Sequence, residues 1–238
     1  MANHVLLNNV EHKNLKVIQD FSLSPEASQM CVAAFPAEAR HAQAHYPLVF
    51  AKDGDGKYQM VALLGLEQGE NLFLDNHRWR ASYRPLVIER GPFLIGRSTT
   101  DGQEKLSIYV DMNDPRVVNE ESNHCVDVFL PHGGNSEYID NIANVLSTLH
   151  ESQATHAEFV KLLEANKLIE SFVVDIELDG SGTSRLSGFY TINEDVLKSL
   201  HSDALGELHQ KGFLSTIYMM LASMSQLRTL VTLKKERA

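Results

Sequence analysis

Near residue 136 the spacing of apolar residues changes from two to about 3.6, and that change limits the fold more than any single motif. Before it, short runs alternate or are uniformly apolar, as strands are. After it, Tyr138, Ile142, Val145, Leu146 and Leu149 fall on one helical face. Strands first and helices later imply an α+β protein. We expect a largely antiparallel sheet, from the N-terminal half and a 171–190 hairpin, packed with C-terminal helices. The 238 residues are enough for one real core, so a single domain over 1–238 is expected, with a sub-boundary near 131–136 between β-rich and helix-rich parts.

Individual elements can be placed within that frame. A first strand is expected around Leu15–Ile18, and Ser24-Pro25-Glu26 starts a helix or a short turn. Met30–Glu38 stays open between strand and helix. Tyr46–Ala51 and Tyr58–Leu66 flank Lys52-Asp53-Gly54-Asp55-Gly56-Lys57 as a hairpin. A calcium loop at that turn would need an acid at the fifth position and a glutamate at the twelfth. Lys57 and Leu64 stand there instead. Lys105–Asp111 is a strand, Asn113–Arg116 a turn and Val126–Leu130 a short apolar run. Thr155 with Glu158 makes a capping box, so a helix from 136 is expected to break near 152–155 and a second to bury Phe159, Leu162, Leu163 and Leu168. Phe172–Leu178 and Ser184–Tyr190 form a second hairpin through Asp179–Thr183. Asn193 caps one helix, Gly212 stops another, and Phe213–Leu230 forms a methionine-rich helix that is core or a homodimer seam, with an adaptable peptide groove as the alternative.

The densest chemistry lies in Asn71–Gly96. It holds the only tryptophan, Trp79, four arginines (Arg78, Arg80, Arg84 and Arg90), and two X-Pro corners at Pro85 and Pro92. Arg78, Arg80 and Arg84 are suited to a fork for carboxylate or phosphate, with Trp79 and Tyr83 stacking on a ligand. The competing reading makes Trp79 and Tyr83 core anchors and pairs the arginines with nearby acids.

These residues, with others along the chain, resemble the bacterial SapC-like family. The landmarks are Tyr46-Pro47-Leu48-Val49-Phe50, Leu63-Leu64-Gly65-Leu66, Asn71-Leu72-Phe73-Leu74-Asp75, and Trp79, Tyr83, Pro85 and Gly91-Pro92-Phe93. Later come Leu186-Ser187-Gly188-Phe189-Tyr190 with Asn193-Glu194, and Gly212-Phe213-Leu214 with Tyr218. The frame W-x-x-x-Y-x-P-x-x-x-R-x-x-P-F is kept in Trp79, Tyr83, Pro85, Arg90 and Phe93, with Arg90 slightly shifted. The resemblance covers about 46–228. It implies an accessory role in a modification or uptake pathway, in surroundings that include surface-layer genes, outer-membrane receptors and cupin-like oxygenases. It implies no defined reaction.

Charge and motif content exclude several classes. With 31 acids against 21 bases the formal charge is −10, which disfavours nucleic acid as a partner. No run approaches the roughly 18–20 apolar residues of a membrane helix. The N-terminal residues carry no basic region ahead of an apolar run, so no secretory signal and a cytoplasmic location are expected. Cys31 and Cys125 are expected as buried free thiols. No G-x-G-x-x-G and no G-x-S-x-G nucleophile elbow occurs, although Pro131-His132-Gly133-Gly134 has the look of an oxyanion loop. His41 and His45, and more loosely His201 and His209, could share helix faces, each without a third ligand. His124, Asp127 and His132 are the one set with the make-up of a two-histidine, one-carboxylate iron site. A strand over 125–130 would turn His124 away from Asp127.

Two functions follow as expectations. The first is a non-catalytic protein that recognises a peptide or protein partner through Arg78, Trp79, Arg80, Tyr83, Arg84 and Arg90, without a cofactor. The alternative is an iron-dependent, cupin-like oxygenase acting on a peptide through His124, Asp127 and His132.

Overall fold

The computed structural model describes residues 2–100, 103–120, 124–178 and 182–237. In chain order the first elements are β1 (His4–Leu6), β2 (Lys16–Ile18), β3 (Cys31–Ala33), α1 (Ala39–Ala42), β4 (Leu48–Lys52) and β5 (Tyr58–Leu63). The arginine-rich stretch holds β6 (Leu74–Asp75), β7 (Arg78–Trp79), α2 (Leu86–Glu89) and the start of β8 (Phe93–Thr100). Then come β9 (Gln103–Asp111), β10 (Val117–Val118), β11 (Cys125–Asp127) and the long helix α3 (Glu137–Ala165). The chain closes with β12 (Ile169–Leu178), β13 (Gly182–Ile192), α4 (Glu194–Lys198), α5 (Ser202–Gln210), α6 (Phe213–Ser223) and α7 (Leu227–Lys235). Of the expected turn Asp179–Thr183, residues 179–181 lie outside the described residues, and Gly182 and Thr183 begin β13.

The protein is α+β, and every strand pair with a described register is antiparallel. Its strands do not make one sheet. They divide between two compact units, each assembled from separate stretches of chain. The first unit comprises Met1–Ala27, Asn76–Arg78 and Leu86–Glu151; the second comprises Ser28–Asp75, Trp79–Pro85 and Ser152–Ala238. Residues 131–136 fall inside the first.

In the first unit two three-stranded sheets, ordered β1-β9-β8 and β10-β2-β11, share a core with the first half of α3. Leu15 and Val17 from around β2, Phe93, Val110, Val128 and Phe129 meet Ile139, Ile142 and Leu146 of the helix. The β8–β9 ladder runs in register from Phe93↔Val110 to Thr100↔Gln103. That alternation puts Phe93 and Val110, both fully buried, on the core face.

The second unit is a five-stranded sheet ordered β12-β13-β4-β5-β3. Both sequence-predicted hairpins are present, as β4–β5 and β12–β13. Helix α6 packs on β4 and β13, and the second half of α3 joins the same core through Phe159, whose ring lies 5.1 Å from Phe213 and 6.2 Å from Phe50. The buried hydroxyl of Ser223 accepts from the Leu48 amide at 2.8 Å and so fixes the end of α6 to the start of β4.

Helix α3 departs from the expected pair of helices. It runs unbroken through 152–155, because Ser152 and His156 occupy the buried stripe that Leu149 begins and Phe159, Val160 and Leu163 continue. Thr155 and Glu158 face outward, and Glu158 pairs with Lys211 instead of capping a new helix. The helix ends where Lys167 turns left-handed at φ 57°, letting the Leu168 amide reach the Leu163 carbonyl at 2.9 Å. Downstream, the side chain of Asn193 accepts from the Val196 amide at 2.9 Å as expected of a cap. Gly212, at φ 75°, separates α5 from α6. The predicted helix over 213–230 is interrupted by a 3-10 turn at Met224–Gln226. No helix among the described residues is long and apolar enough to cross a membrane.

Candidate functional site

The arginine-aromatic stretch contributes to both units, so its six expected binding residues serve different surroundings. Trp79, Arg80, Tyr83 and Arg84 belong to the second unit; Arg78 and Arg90 belong to the first.

In the second unit the aromatic residues are anchors. Trp79 stacks on Phe73, with centroids 6.3 Å apart and planes 15° from parallel, and its Nε1–H donates to the Tyr46 hydroxyl at 2.7 Å. Tyr46 is fully buried and donates in turn to the Tyr83 carbonyl. Burial pushes its hydroxyl far above the ordinary tyrosine range, against the hydrogen bond from Trp79 and the positive charge of Arg84. The Tyr83 hydroxyl donates to Oε2 of Glu38 at 2.9 Å, while Oε1 of that buried carboxylate accepts from the Phe35 amide at 3.1 Å. His41 stacks on the Tyr83 ring, and His45 bonds the Ser82 hydroxyl at 3.0 Å. Trp79 and Tyr83 therefore serve the interior of this unit. Arg80 lies beside a cleft of about 310 Å³ that includes Phe73 and Leu233, and is ion-paired with Glu236 at 2.6 Å. Arg84 is half-buried.

The basic chain end belongs to the same arrangement. Arg237 donates to the carbonyls of Asn71, Leu72 and Leu74, and Lys234 bridges Glu70 at 2.6 Å and Glu67 at 3.2 Å. Arg237 thereby satisfies backbone acceptors of the family signature.

In the first unit Arg90 is half-buried and donates to the Phe93 carbonyl at 3.0 Å, with burial holding its pKa below the usual arginine value. Nearby, burial works against the charge of Arg116, but a two-pronged bond to Asp114, at 2.9 and 2.7 Å, raises its pKa above the usual value. Burial pushes the neighbouring Tyr138 hydroxyl up to about 12.

Arg78 has a different setting. It lines a cleft of roughly 560 Å³ in the first unit together with Ile18, Asp20, Leu23, His77 and His124. The size falls in the range of about 300–1,000 Å³ usual for ligand sites. Two turns shape its wall. Strands β6 and β7 are joined by Asn76 and His77, both left-handed at φ 43° and 71°, the signature of a type I′ hairpin. His124 is left-handed at φ 61°, and its carbonyl accepts from the Gln19 amide at 2.9 Å. Such turns usually carry glycine at the second position, and this one carries histidine. A left-handed turn without glycine carries no compositional signal.

Inside the cleft, Nδ1 of His77 lies 2.9 Å from Oδ2 of Asp20 and 2.9 Å from the Ser22 hydroxyl. Ser22 also bonds Oδ1 of Asp20 at 2.6 Å through its hydroxyl and at 2.8 Å through its amide. Against the effect of burial, these bonds and the neighbouring imidazole hold the Asp20 carboxyl below its ordinary pKa. The trio is not a hydrolase relay. Ser22 and Asp20 meet the same ring nitrogen, whereas a relay needs serine and acid on opposite ones.

The alternative iron set is not assembled. Asp127 pairs with Lys16 at 2.5 Å, and His124 and His132 are exposed. Among the described residues no three His, Cys, Asp or Glu side chains come close enough to share a metal ion. Cys31 and Cys125 are unbonded and half-buried, more accessible than expected.

Comparison with curated proteins and with solved structures returned no match. A family model described as SapC matches residues 7–230 of the 238, and the chain belongs to the SapC family.

Proposed function

We propose that this chain is a binding protein for a peptide or protein partner, and that the first unit's cleft around Arg78, His77 and His124 receives the partner. This narrows the expected surface. Arg78 is retained, His77 and His124 are added, and Trp79 and Tyr83 become structural supports. The single observation that carries the reading is where the backbone is left-handed. Of the four non-glycine residues with positive φ among the described residues, Asn76, His77 and His124 line this one cleft, and only Lys167 lies elsewhere. Asn and His tolerate this region better than bulkier residues, yet each still costs of order 1 kcal/mol, and such costs gather where a ligand is positioned. An accessory role in a modification or uptake pathway, as the family resemblance implies, suits a binding protein.

The test is selection from a displayed random dodecapeptide library against the full chain. Enriched peptides are then measured by fluorescence anisotropy on the wild type, Arg78→Ala and His124→Ala. The reading predicts enriched sequences whose affinity falls on both variants while thermal unfolding stays cooperative. Enrichment of nothing, or equal affinity for all three proteins, would overturn it.

A further inference from the structure

We infer that this cleft takes a carboxylate set beside an apolar side chain, with Arg78 as its anchor; the inference rests on the peptide-binding reading above. Arg78 is exposed on the cleft wall, and its guanidinium has no hydrogen-bond or ion-pair partner among the described residues. Arg80 pairs with Glu236, Arg90 with the Phe93 carbonyl and Arg116 with Asp114, while the exposed Arg40 and Arg228, likewise without a partner among the described residues, do not line this cleft. In a chain with 31 acids and 21 bases, a cation left without an acid in a cleft is an unusual arrangement.

The rest of the lining fits one negative charge. The carboxylate of Asp20 is already held by Ser22 and His77. Among the described residues no lysine and no second arginine lines the cleft. A single planar guanidinium matches a carboxylate in a two-pronged fork, whereas a dianionic phosphate usually draws several cations. Ile18 and Leu23 supply an apolar wall, and Leu23 is 38% exposed, an open hydrophobic surface beside the cation. An aliphatic side chain lying on that wall would bring its own or a neighbouring carboxylate toward Arg78. A peptide can supply the charge from its C-terminus or from Asp or Glu, and the chemistry is shared.

Three random hexapeptide pools separate the sources: free C-termini without Asp or Glu, amidated with Asp and Glu, and amidated without them. Each is passed over the immobilised full chain, and retained peptides are quantified by mass spectrometry on the wild type, Arg78→Ala and Arg78→Lys. The expected result is that one or both carboxylate pools are retained at least about tenfold over the third, a difference of 1.4 kcal/mol. Arg78→Ala should erase that preference and Arg78→Lys should keep part of it, with leucine or isoleucine enriched next to the carboxylate. Retention led by the first pool identifies a chain terminus, and by the second an acidic side chain. If all three pools are retained equally and lost on Arg78→Ala, the carboxylate inference falls while peptide binding stands. Retention of none overturns both.

Discussion

The indole of Trp79 donates to the hydroxyl of Tyr46 at 2.7 Å. Because the Tyr46 hydroxyl donates in turn to the Tyr83 carbonyl, one buried hydroxyl ties two landmarks of the family frame together. Tyr46→Phe keeps the ring but leaves an indole N–H and a carbonyl without their partner. A loss of about 2 kcal/mol is expected, the usual cost of stranding buried polar groups. Urea unfolding followed by the fluorescence of Trp79, the only tryptophan, measures it directly. A loss below about 0.5 kcal/mol would mean the bond chain contributes nothing.

His156 gives the protein a pH dependence of known sign. It is buried in the second unit with Nε2 accepting from the Met60 amide at 3.0 Å, and burial lowers its pKa below the ordinary 6.5. Below that ordinary value the unfolded chain takes up a proton that the folded chain refuses. The contribution of this group is therefore full above about pH 6.5 and is lost as pH falls through that value toward the folded-state pKa. The urea midpoint of the wild type should drop between pH 7 and 5. His156→Gln, which keeps an acceptor but cannot be protonated there, should flatten part of that drop. Identical slopes would contradict the assignment.

His156 also marks how far the sequence could be read. Hairpins β4–β5 and β12–β13, the Asn193 cap and the Gly212 stop were all legible, because each rests on local alternation or on one residue's backbone preference. The continuity of α3 was not. Its stripe passes through Ser152 and His156, two polar residues that look like a break until their burial is known. The division of strands between two units was equally hidden, since pairing of β2 with β10 and β11 involves contacts about a hundred residues apart, beyond any local period. In the candidate site, Arg78 was legible as a dense cation among aromatics. His77 was not, and His124 was legible only as a candidate iron ligand, because left-handed turns without glycine leave no composition signal.

Strain at the cleft can be separated from strain elsewhere. Lys167→Gly and His124→Gly both place glycine where φ is positive, 57° and 61° respectively. Each should stabilise the fold by about 0.5 kcal/mol, the relief of a left-handed side chain less the entropy glycine adds to the unfolded chain. Only His124→Gly should weaken peptide binding. If both variants bind as the wild type does, the left-handed wall has no role in recognition.

The chain end is predicted to be structural. Removing the guanidinium with Arg237→Ala leaves the carbonyls of Asn71, Leu72 and Leu74 without their shared donor. A loss near 1 kcal/mol is expected in chemical unfolding, moderated by solvent access. An unchanged midpoint would mean that these bonds add nothing to the stability of the fold.

The central claim, that Arg78 and not its neighbours receives the partner, is tested most directly by comparing Arg78→Ala with Arg80→Ala against one selected peptide in fluorescence anisotropy. The two arginines stand two residues apart in sequence, but Arg80 is ion-paired with Glu236 and belongs to the second unit. Arg78→Ala should weaken binding by about tenfold or more while Arg80→Ala leaves it within about twofold of the wild type. Equal losses, or a loss confined to Arg80→Ala, would contradict the account.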